Sequence, residues 1–211
     1  MRLPVLGAVR AARPRLAFRQ CARPVLADEL GPERADRVWR ETLRQQRELA
    51  ALRRRHSPGT DLLLRYMEWS TALYRALRAD GLSEGDAGAL IERINWAALG
   101  PTVGLVFAAS RARGAALGTR VRWLQDLLFR VLYTRPFQRR VLPGPATKVD
   151  FDVTACPLAA YMRTHGAPEL TPYAACNLDH TMARAWGVEL TRTQTIAGGA
   201  SHCDFRFHAP G

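Results

Sequence analysis

The last third of the chain carries most of the residues that could do chemistry. Three of its four cysteines, Cys156, Cys176 and Cys203, lie there, together with Asp179 and His180. In a helix, positions 176, 179 and 180 share one face, because residues three and four apart are neighbours. A thiol, a carboxylate and an imidazole on one face can perform nucleophilic or acid–base catalysis. We therefore take Cys156, Cys176, Asp179 and His180 as candidate catalytic residues.

Cys156 is the first candidate nucleophile. It precedes Pro157, which suits the first position of a helix, so the sequence predicts Cys156 at the helix N-cap. The helix dipole is expected to lower the pKa of a thiol at this position and to favour the thiolate. The alternative is a buried structural cysteine, the common role of a single cysteine.

The C-terminal segment HCDFRFH (202–208) alternates as a half-buried strand does. Cys203, Phe205 and Phe207 fall on one face, which we predict to be the core face. Asp204 and Arg206 fall on the other face, where they form either a structural ion pair or a contact with substrate. Cys203 then lies at the edge of the core, where it could line a pocket.

The preceding segment VELTRTQTIAGG (188–199) also alternates and predicts a strand that pairs with 202–208 through the Gly198–Gly199 turn. Arg192 stands out in this threonine-rich strand. Its guanidinium could clamp a substrate carboxylate, with Thr193 beside it, although a structural salt bridge would explain it as well.

The spacing of the cysteines argues against a metal. Structural zinc sites usually contain short Cys-x₂₋₄-Cys pairs, and none occurs in this sequence. The sequence also contains no P-loop and no dinucleotide-binding fingerprint. We therefore expect no cofactor, and zinc remains the less favoured alternative.

The elements that must position these residues are helices followed by a small sheet. Helices are predicted over 31–55, 61–80, 118–135 and 171–186, a connector over 136–148, and strands over 148–156, 188–199 and 202–208. The fold class is α+β: an N-terminal helical layer packed on a small antiparallel sheet, with a C-terminal strand–helix–helix–hairpin unit. We expect a helical region (1–145) and a site-bearing region (146–211) that together form one compact domain.

The charge pattern bears on the partners. The net charge is +12, with 30 Arg and a single Lys. The arginines are spread through amphipathic helices, and Tyr and Trp do not interleave with them as a stacking platform for bases would require, so we do not expect nucleic-acid binding. No apolar run is long enough for a membrane span. The Arg-rich segment 1–23 is typical of an ordinary basic helix or of a transit peptide. We expect a cytoplasmic protein that binds a small molecule, and a homo-oligomer is compatible with the sequence.

Several of these pieces occur together in one known family. They are Cys156 after a strand, the segment Pro168–Pro172 (PELTP), the pair Cys176 and Asp179, the segment Arg192–Gly198 (RTQTIAG), and the terminal CDFRF of Cys203–Phe207. In this order they resemble the C-terminal part of the L-2-amino-thiazoline-4-carboxylic acid hydrolase family. The same region also resembles, more weakly, ligand-binding domains of the 4-vinyl-reductase type.

The first resemblance implies hydrolytic ring opening of a small carboxylate-bearing heterocycle. Water adds to C2 of the aminothiazoline and the C–S bond opens, giving an N-carbamoyl cysteine. Residue chemistry then suggests Cys156 as nucleophile or water-orienting group and Asp179 as acid or base, assisted by His180. Arg192 or Arg206 would hold the carboxylate. The second resemblance implies a non-catalytic small-molecule-binding or sensor domain.

Overall fold

The N-terminal part of the protein is a layer of helices. The computed structural model describes residues 14–114, 116–145 and 148–209, so the first thirteen residues of the basic N-terminal segment lie outside the described residues. The helices are α1 (Pro14–Leu30), α2 (Pro32–Ala51), α3 (Pro58–Ala79), α4 (Glu84–Ala109) and α5 (Leu117–Val131), with a 3₁₀ turn at Ser110–Arg113. In the described part of the chain, none of the helices is long and apolar enough to cross a membrane.

Local sequence explains where these helices begin. Proline occupies an early position of α2 and α3, where its missing N–H costs nothing. Ser83 caps α4, because its hydroxyl accepts a hydrogen bond from the backbone N–H of Asp86 at 3.1 Å.

The start of α3 is fastened to the exit of α5. The Thr60 hydroxyl donates to the carbonyl of Thr134 at 2.6 Å, and the Thr60 N–H donates to the Thr134 hydroxyl at 3.1 Å. Gly59 permits this approach, since a Cβ at this position would overlap the carbonyl oxygens of Val131 and Leu132.

Within the described residues, four strands form one antiparallel sheet. They are β1 (Gln138–Val141), β2 (Val149–Ala155), β3 (Glu189–Thr191) and β4 (Cys203–His208), in the order β1-β2-β4-β3. With the helical layer, this sheet confirms the predicted α+β class. In the central pair, Phe151 lies opposite Phe205 and Asp152 opposite Asp204.

The predicted and observed elements differ most around β1 and β3. The connector predicted at 136–148 contains β1, a short edge strand that pairs with β2 although it precedes the predicted boundary at residue 145. The strand predicted at 188–199 is regular only over Glu189–Thr191, and the chain then leaves the ladder. Side-chain hydrogen bonds, described below, replace the missing part of that ladder.

The helices after β2 carry several site residues. They are α6 (Pro157–Thr164), a 3₁₀ turn (Pro168–Leu170), a π-helical turn (Pro172–Cys176) and α7 (Asn177–Ala185). The helix predicted over 171–186 therefore begins with a π turn. Such turns insert one residue into the helix and occur often at functional sites.

Two hydrophobic clusters form the core. One lies among α1 to α4 and α6, and the other lies between the sheet, α5 and α7. Cys156 packs against both clusters. The junction between helical layer and sheet is therefore the place where a pocket can open.

Candidate functional site

A cavity of about 180 Å³ lies at this junction. Helices α3, α4 and α5 line one side, and α6, α7 and the inner face of the sheet line the other. Most of the lining is aliphatic or aromatic, with few strongly polar groups. Five of the predicted site residues contribute to the lining: Cys156, Cys176, Asp179, Arg192 and Cys203.

An ion pair is the main polar feature of the cavity wall. The Arg192 guanidinium donates to Asp179 Oδ2 at 2.7 Å and to the carbonyl of Cys176 at 2.9 Å. It also lies over the ring of Phe205, 5.1 Å from the ring centroid. The Arg192 side chain is 5% exposed and that of Asp179 is 20% exposed. The carboxylate thus keeps an edge that a ligand could reach.

The ionisation of Asp179 follows from this setting. Burial raises the pKa of Asp179 to about 6, even though the charge and hydrogen bond of Arg192 act to lower it. A carboxyl group with a pKa near neutrality can both accept and release a proton under physiological conditions. This property fits the predicted acid–base candidate.

The three thiols share the cavity but are not poised as thiolates. Burial raises the pKa of Cys156 and of Cys203, and it raises the pKa of Cys176 to about 12. Cys156 does occupy the N-cap of α6. The prediction that its pKa is lowered was wrong, because burial outweighs the amide groups of Ala159 and Leu158 at the helix start.

Cys203 differs from the other two thiols. Its residue is 7% exposed, and its sulfur accepts a hydrogen bond from the backbone N–H of Ile196 at 3.2 Å. This contact fastens the loop between β3 and β4. Cys203 therefore combines a place in the cavity wall with a structural role.

The junction between the π turn and α7 places Cys176 and Asp179. Asn177 is the first residue of α7, and its side-chain amide donates a hydrogen bond to the carboxylate of Glu92 in α4 at 2.7 Å. Together with the bond from Arg192 to the Cys176 carbonyl, this contact ties the junction to both α4 and the β3–β4 segment. Cys176 and Asp179 consequently point into the cavity from the same turn.

Four predicted site residues lie elsewhere. His180 is not part of the cavity lining. Arg206 bonds to Asp152 at 2.7 Å and to the carbonyls of Phe151 and Phe205. The Thr193 hydroxyl donates to Asp204 at 2.7 Å. Arg206 thus pairs with Asp152, and Asp204 binds the segment after β3, rather than pairing with each other; both lie on the outer face of the sheet, away from the cavity.

Several lining residues were not among the sequence candidates. Tyr133, just after α5, lines the cavity, and its hydroxyl interacts electrostatically with Asp179 and Cys156. Gln125 and Thr171 also contribute polar groups to the lining. No local motif marks Tyr133 and Gln125, because the helical layer supplies them from a distant part of the sequence, whereas Thr171 lies within the segment Pro168–Pro172 (PELTP). Among the described residues, no cluster of three or more His, Cys, Asp or Glu side chains could hold a metal ion.

The sequence matches a known protein family over most of its length. Residues 65–207 match the family model described as L-2-amino-thiazoline-4-carboxylic acid hydrolase, about two-thirds of the chain. The chain belongs to this hydrolase family. The matched range contains every residue that lines the cavity, from Tyr66 to Phe205, except Leu63. It also extends well beyond the C-terminal segment that carried the resemblance in the sequence.

Two further comparisons are less informative. No curated protein sequence matches the chain significantly. Among solved structures, an H-NOX protein from S. oneidensis in the Fe(II) ligation state aligns over 92% of this chain and 95% of its own, with 9% identity and a TM-score of 0.40. This similarity is too low to show a shared fold.

Proposed function

We propose that this protein is a hydrolase that adds water to the amidine-type carbon of a small carboxylate-bearing heterocycle and opens its ring. L-2-Amino-thiazoline-4-carboxylic acid, the compound in the family description, is the first candidate substrate. The observation that carries the proposal is the Asp179–Arg192 pair on the wall of an apolar cavity. The cavity volume of about 180 Å³ also suits one ring, since an apolar cavity of about 150 Å³ can hold benzene.

The charges of the pair complement those of the substrate. A protonated aminothiazoline has an amidinium group and a carboxylate. Asp179 can accept hydrogen bonds from the amidinium, and Arg192 can donate to the carboxylate from its remaining N–H groups. Because the cavity is largely apolar, water screens these contacts little. Binding would therefore orient the ring with its reacting carbon beside Asp179.

Asp179 can then move the proton that hydrolysis requires. The water oxygen bonds to C2 while Asp179 accepts one water proton, and the π electrons of the amidinium C2–N bond move onto nitrogen. The C2–S bond then breaks with its electron pair on sulfur as the remaining hydroxyl oxygen forms the C2=O bond. Protonated Asp179 gives its proton to that sulfur, and the hydroxyl proton passes to solvent, which balances the proton that the amidinium carried. The product is N-carbamoyl cysteine, which is the substrate plus one water. The pKa of about 6 serves both steps.

The thiols support water as the nucleophile. Since burial raises the pKa of Cys156 and Cys176, both are protonated at neutral pH. A resting thiolate is therefore absent, and we assign the role of nucleophile to a water molecule that Asp179 activates as general base. The thiols then act as neutral lining groups. A covalent adduct on Cys156 during turnover would contradict this assignment.

A second candidate function is non-catalytic binding of an apolar small molecule. The observation that favours it is the dominance of aliphatic and aromatic side chains in the lining. In this case Asp179 and Arg192 would only neutralise each other within the wall. The two candidates differ in whether a product forms.

The test is turnover of L-2-amino-thiazoline-4-carboxylic acid, followed by mass spectrometry for the product that has gained water. We expect product formation with the wild type and a rate reduced about 10²- to 10⁴-fold with Asp179→Asn, the usual contribution of acid–base catalysis. Asp36→Asn is the control, because Asp36 pairs with Arg23 on an exposed surface. Saturable binding without product would favour a binding role, and neither binding nor product would contradict the proposed reaction on this substrate.

A further inference from the structure

Arg192 is held by a segment that no sheet ladder supports. Strand β3 ends at Thr191, and the chain from residue 192 to residue 195 has no regular hydrogen-bonded structure. Yet the Arg192 guanidinium is almost fully buried and makes two bonds across the cavity wall. A long, flexible side chain loses considerable entropy when it is fixed in this way. Other contacts must therefore anchor the backbone from which it extends.

The carboxylate of Asp204 replaces the missing ladder. It accepts hydrogen bonds from the backbone N–H of Thr193 at 3.0 Å, from that of Gln194 at 2.8 Å, and from the Thr193 hydroxyl at 2.7 Å. Burial would raise the pKa of Asp204, but these bonds outweigh it and hold the pKa below its ordinary value. The residue that directly follows Arg192 is thus bonded to Asp204 through both its amide and its side chain.

Cys203 fastens the same segment from the opposite face of β4. Its sulfur accepts the N–H of Ile196 at 3.2 Å, while Asp204 holds residues 193 and 194. Two successive residues of β4 therefore grip one stretch of chain from both faces of the sheet. The bonds to the ionised Asp204 are the stronger of the two contacts, because a charged acceptor strengthens a hydrogen bond.

We propose that Asp204 is a positioning residue: by fixing Thr193 and Gln194 from the outer face of the sheet, it holds Arg192 against Asp179 and so controls the protonation of Asp179. The groups that face Asp179 from the elements around it are a tyrosine, three thiols and one guanidinium, namely Tyr133, Cys156, Cys176, Cys203 and Arg192. Arg192 is the cation among these groups. A displacement of Arg192 therefore removes the favourable charge from beside Asp179.

The test is the Asp204→Asn variant, which keeps the shape of the side chain but loses its charge and one acceptor. The measurement is an NMR titration of the Asp179 carboxyl carbon, whose signal is assigned because it is missing from the spectrum of Asp179→Asn. We expect the pKa of Asp179 to rise by about one unit or more, because an adjacent cation normally lowers a carboxyl pKa by about 1–3 units. Under the proposed function, the pH limb of hydrolysis should shift in the same direction.

Asp152→Asn is the matched control. Asp152 lies opposite Asp204 on the same outer face, but it bonds to Arg140 and Arg206 rather than to the segment after β3. We expect it to leave the pKa of Asp179 unchanged. Thr193→Val, which removes only the hydroxyl bond, should raise this pKa by less than Asp204→Asn does, and Thr193→Ser should not raise it.

The proposal is overturned if folded Asp204→Asn leaves the pKa of Asp179 unchanged, or if Asp152→Asn raises it equally. Should Asp204→Asn fail to fold, Thr193→Val decides, and an unchanged pKa then overturns the proposal. The titration needs no turnover, so its result is independent of the proposed function. A shifted pKa in a protein that hydrolyses nothing would support the positioning role and contradict only the proposed reaction.

Discussion

The two faces of strand β4 differ in polarity and in what they contact. The inner face presents Cys203 and Phe205 to the cavity. The outer face presents Asp204 and Arg206, both engaged by neighbouring protein groups. Charged residues are usually the first candidates for catalysis. On β4, however, the charged side chains form hydrogen bonds that stabilise the sheet, and the apolar face with Cys203 lines the candidate site.

The largest expected change in the free energy of unfolding comes from two phenylalanines on the inner face. Phe207 is fully buried, whereas Phe205 is half-buried and borders the cavity. We expect Phe207→Ala to lower the free energy of unfolding by about 3–5 kcal/mol and Phe205→Ala by about 2 kcal/mol, since less of its surface is packed. Urea denaturation measures both. Equal losses would mean that Phe205 is an ordinary core residue.

The second test concerns carboxyl groups on the two sides of the sheet. Folding raises the pKa of Asp179 from 3.8 to about 6. The folded state therefore holds this proton more tightly, and the contribution of Asp179 to stability decreases as the pH rises through this interval. Between pH 4 and pH 7, the free energy of unfolding of the wild type should therefore fall by up to about 3 kcal/mol relative to that of Asp179→Asn.

The outer carboxylates should show the opposite dependence. Burial acts to raise the pKa of Asp152, but the hydrogen bonds from Arg140 and Arg206 outweigh it and lower the pKa, as the loop bonds do for Asp204. Their contribution is present above the unfolded pKa and is lost as the pH falls through the folded pKa. Urea denaturation at a series of pH values separates the two classes. Parallel curves for the wild type and Asp179→Asn would contradict the raised pKa of Asp179.

The smallest effect belongs to an exposed arginine of the outer face. Arg140 bonds to Asp152 at 2.8 Å, but its side chain is 67% exposed, and Arg206 remains as a partner of Asp152. We expect Arg140→Ala to change the free energy of unfolding by less than about 1 kcal/mol, the usual range for exposed pairs. Thermal or urea denaturation can detect a larger loss, which would show that the outer network depends on both arginines.

The fold could be predicted where a periodic pattern was long enough. The alternation of 148–156 and 202–208 and the helical pattern of the first two-thirds correspond to observed elements. Strand β1 could not be recognised, because it has four residues with two adjacent arginines at a sheet edge. The strand after residue 188 was predicted too long, because Asp204 binds amides that the alternating pattern assigns to a ladder.

The site could be predicted in part for a similar reason. The thiols, Asp179 and Arg192 are clustered in the sequence, and chemical type alone marks them as candidates. The contribution of Tyr133 could not be predicted, because it depends on how the helical layer packs against the sheet. The pKa of Cys156 was misjudged because the sequence reveals the N-cap but not the depth of burial.

The close approach at Gly59 has a consequence for genetics. A side chain there would push α3 away from the carbonyls of Val131 and Leu132, immediately before the cavity residue Tyr133. Under the proposed function, a screen of random variants for lost turnover should therefore recover substitutions at Gly59 beside those of the lining, although Gly59 is not part of the lining. Variants that impair this protein would then map to a wider stretch of sequence than its ligand contacts do.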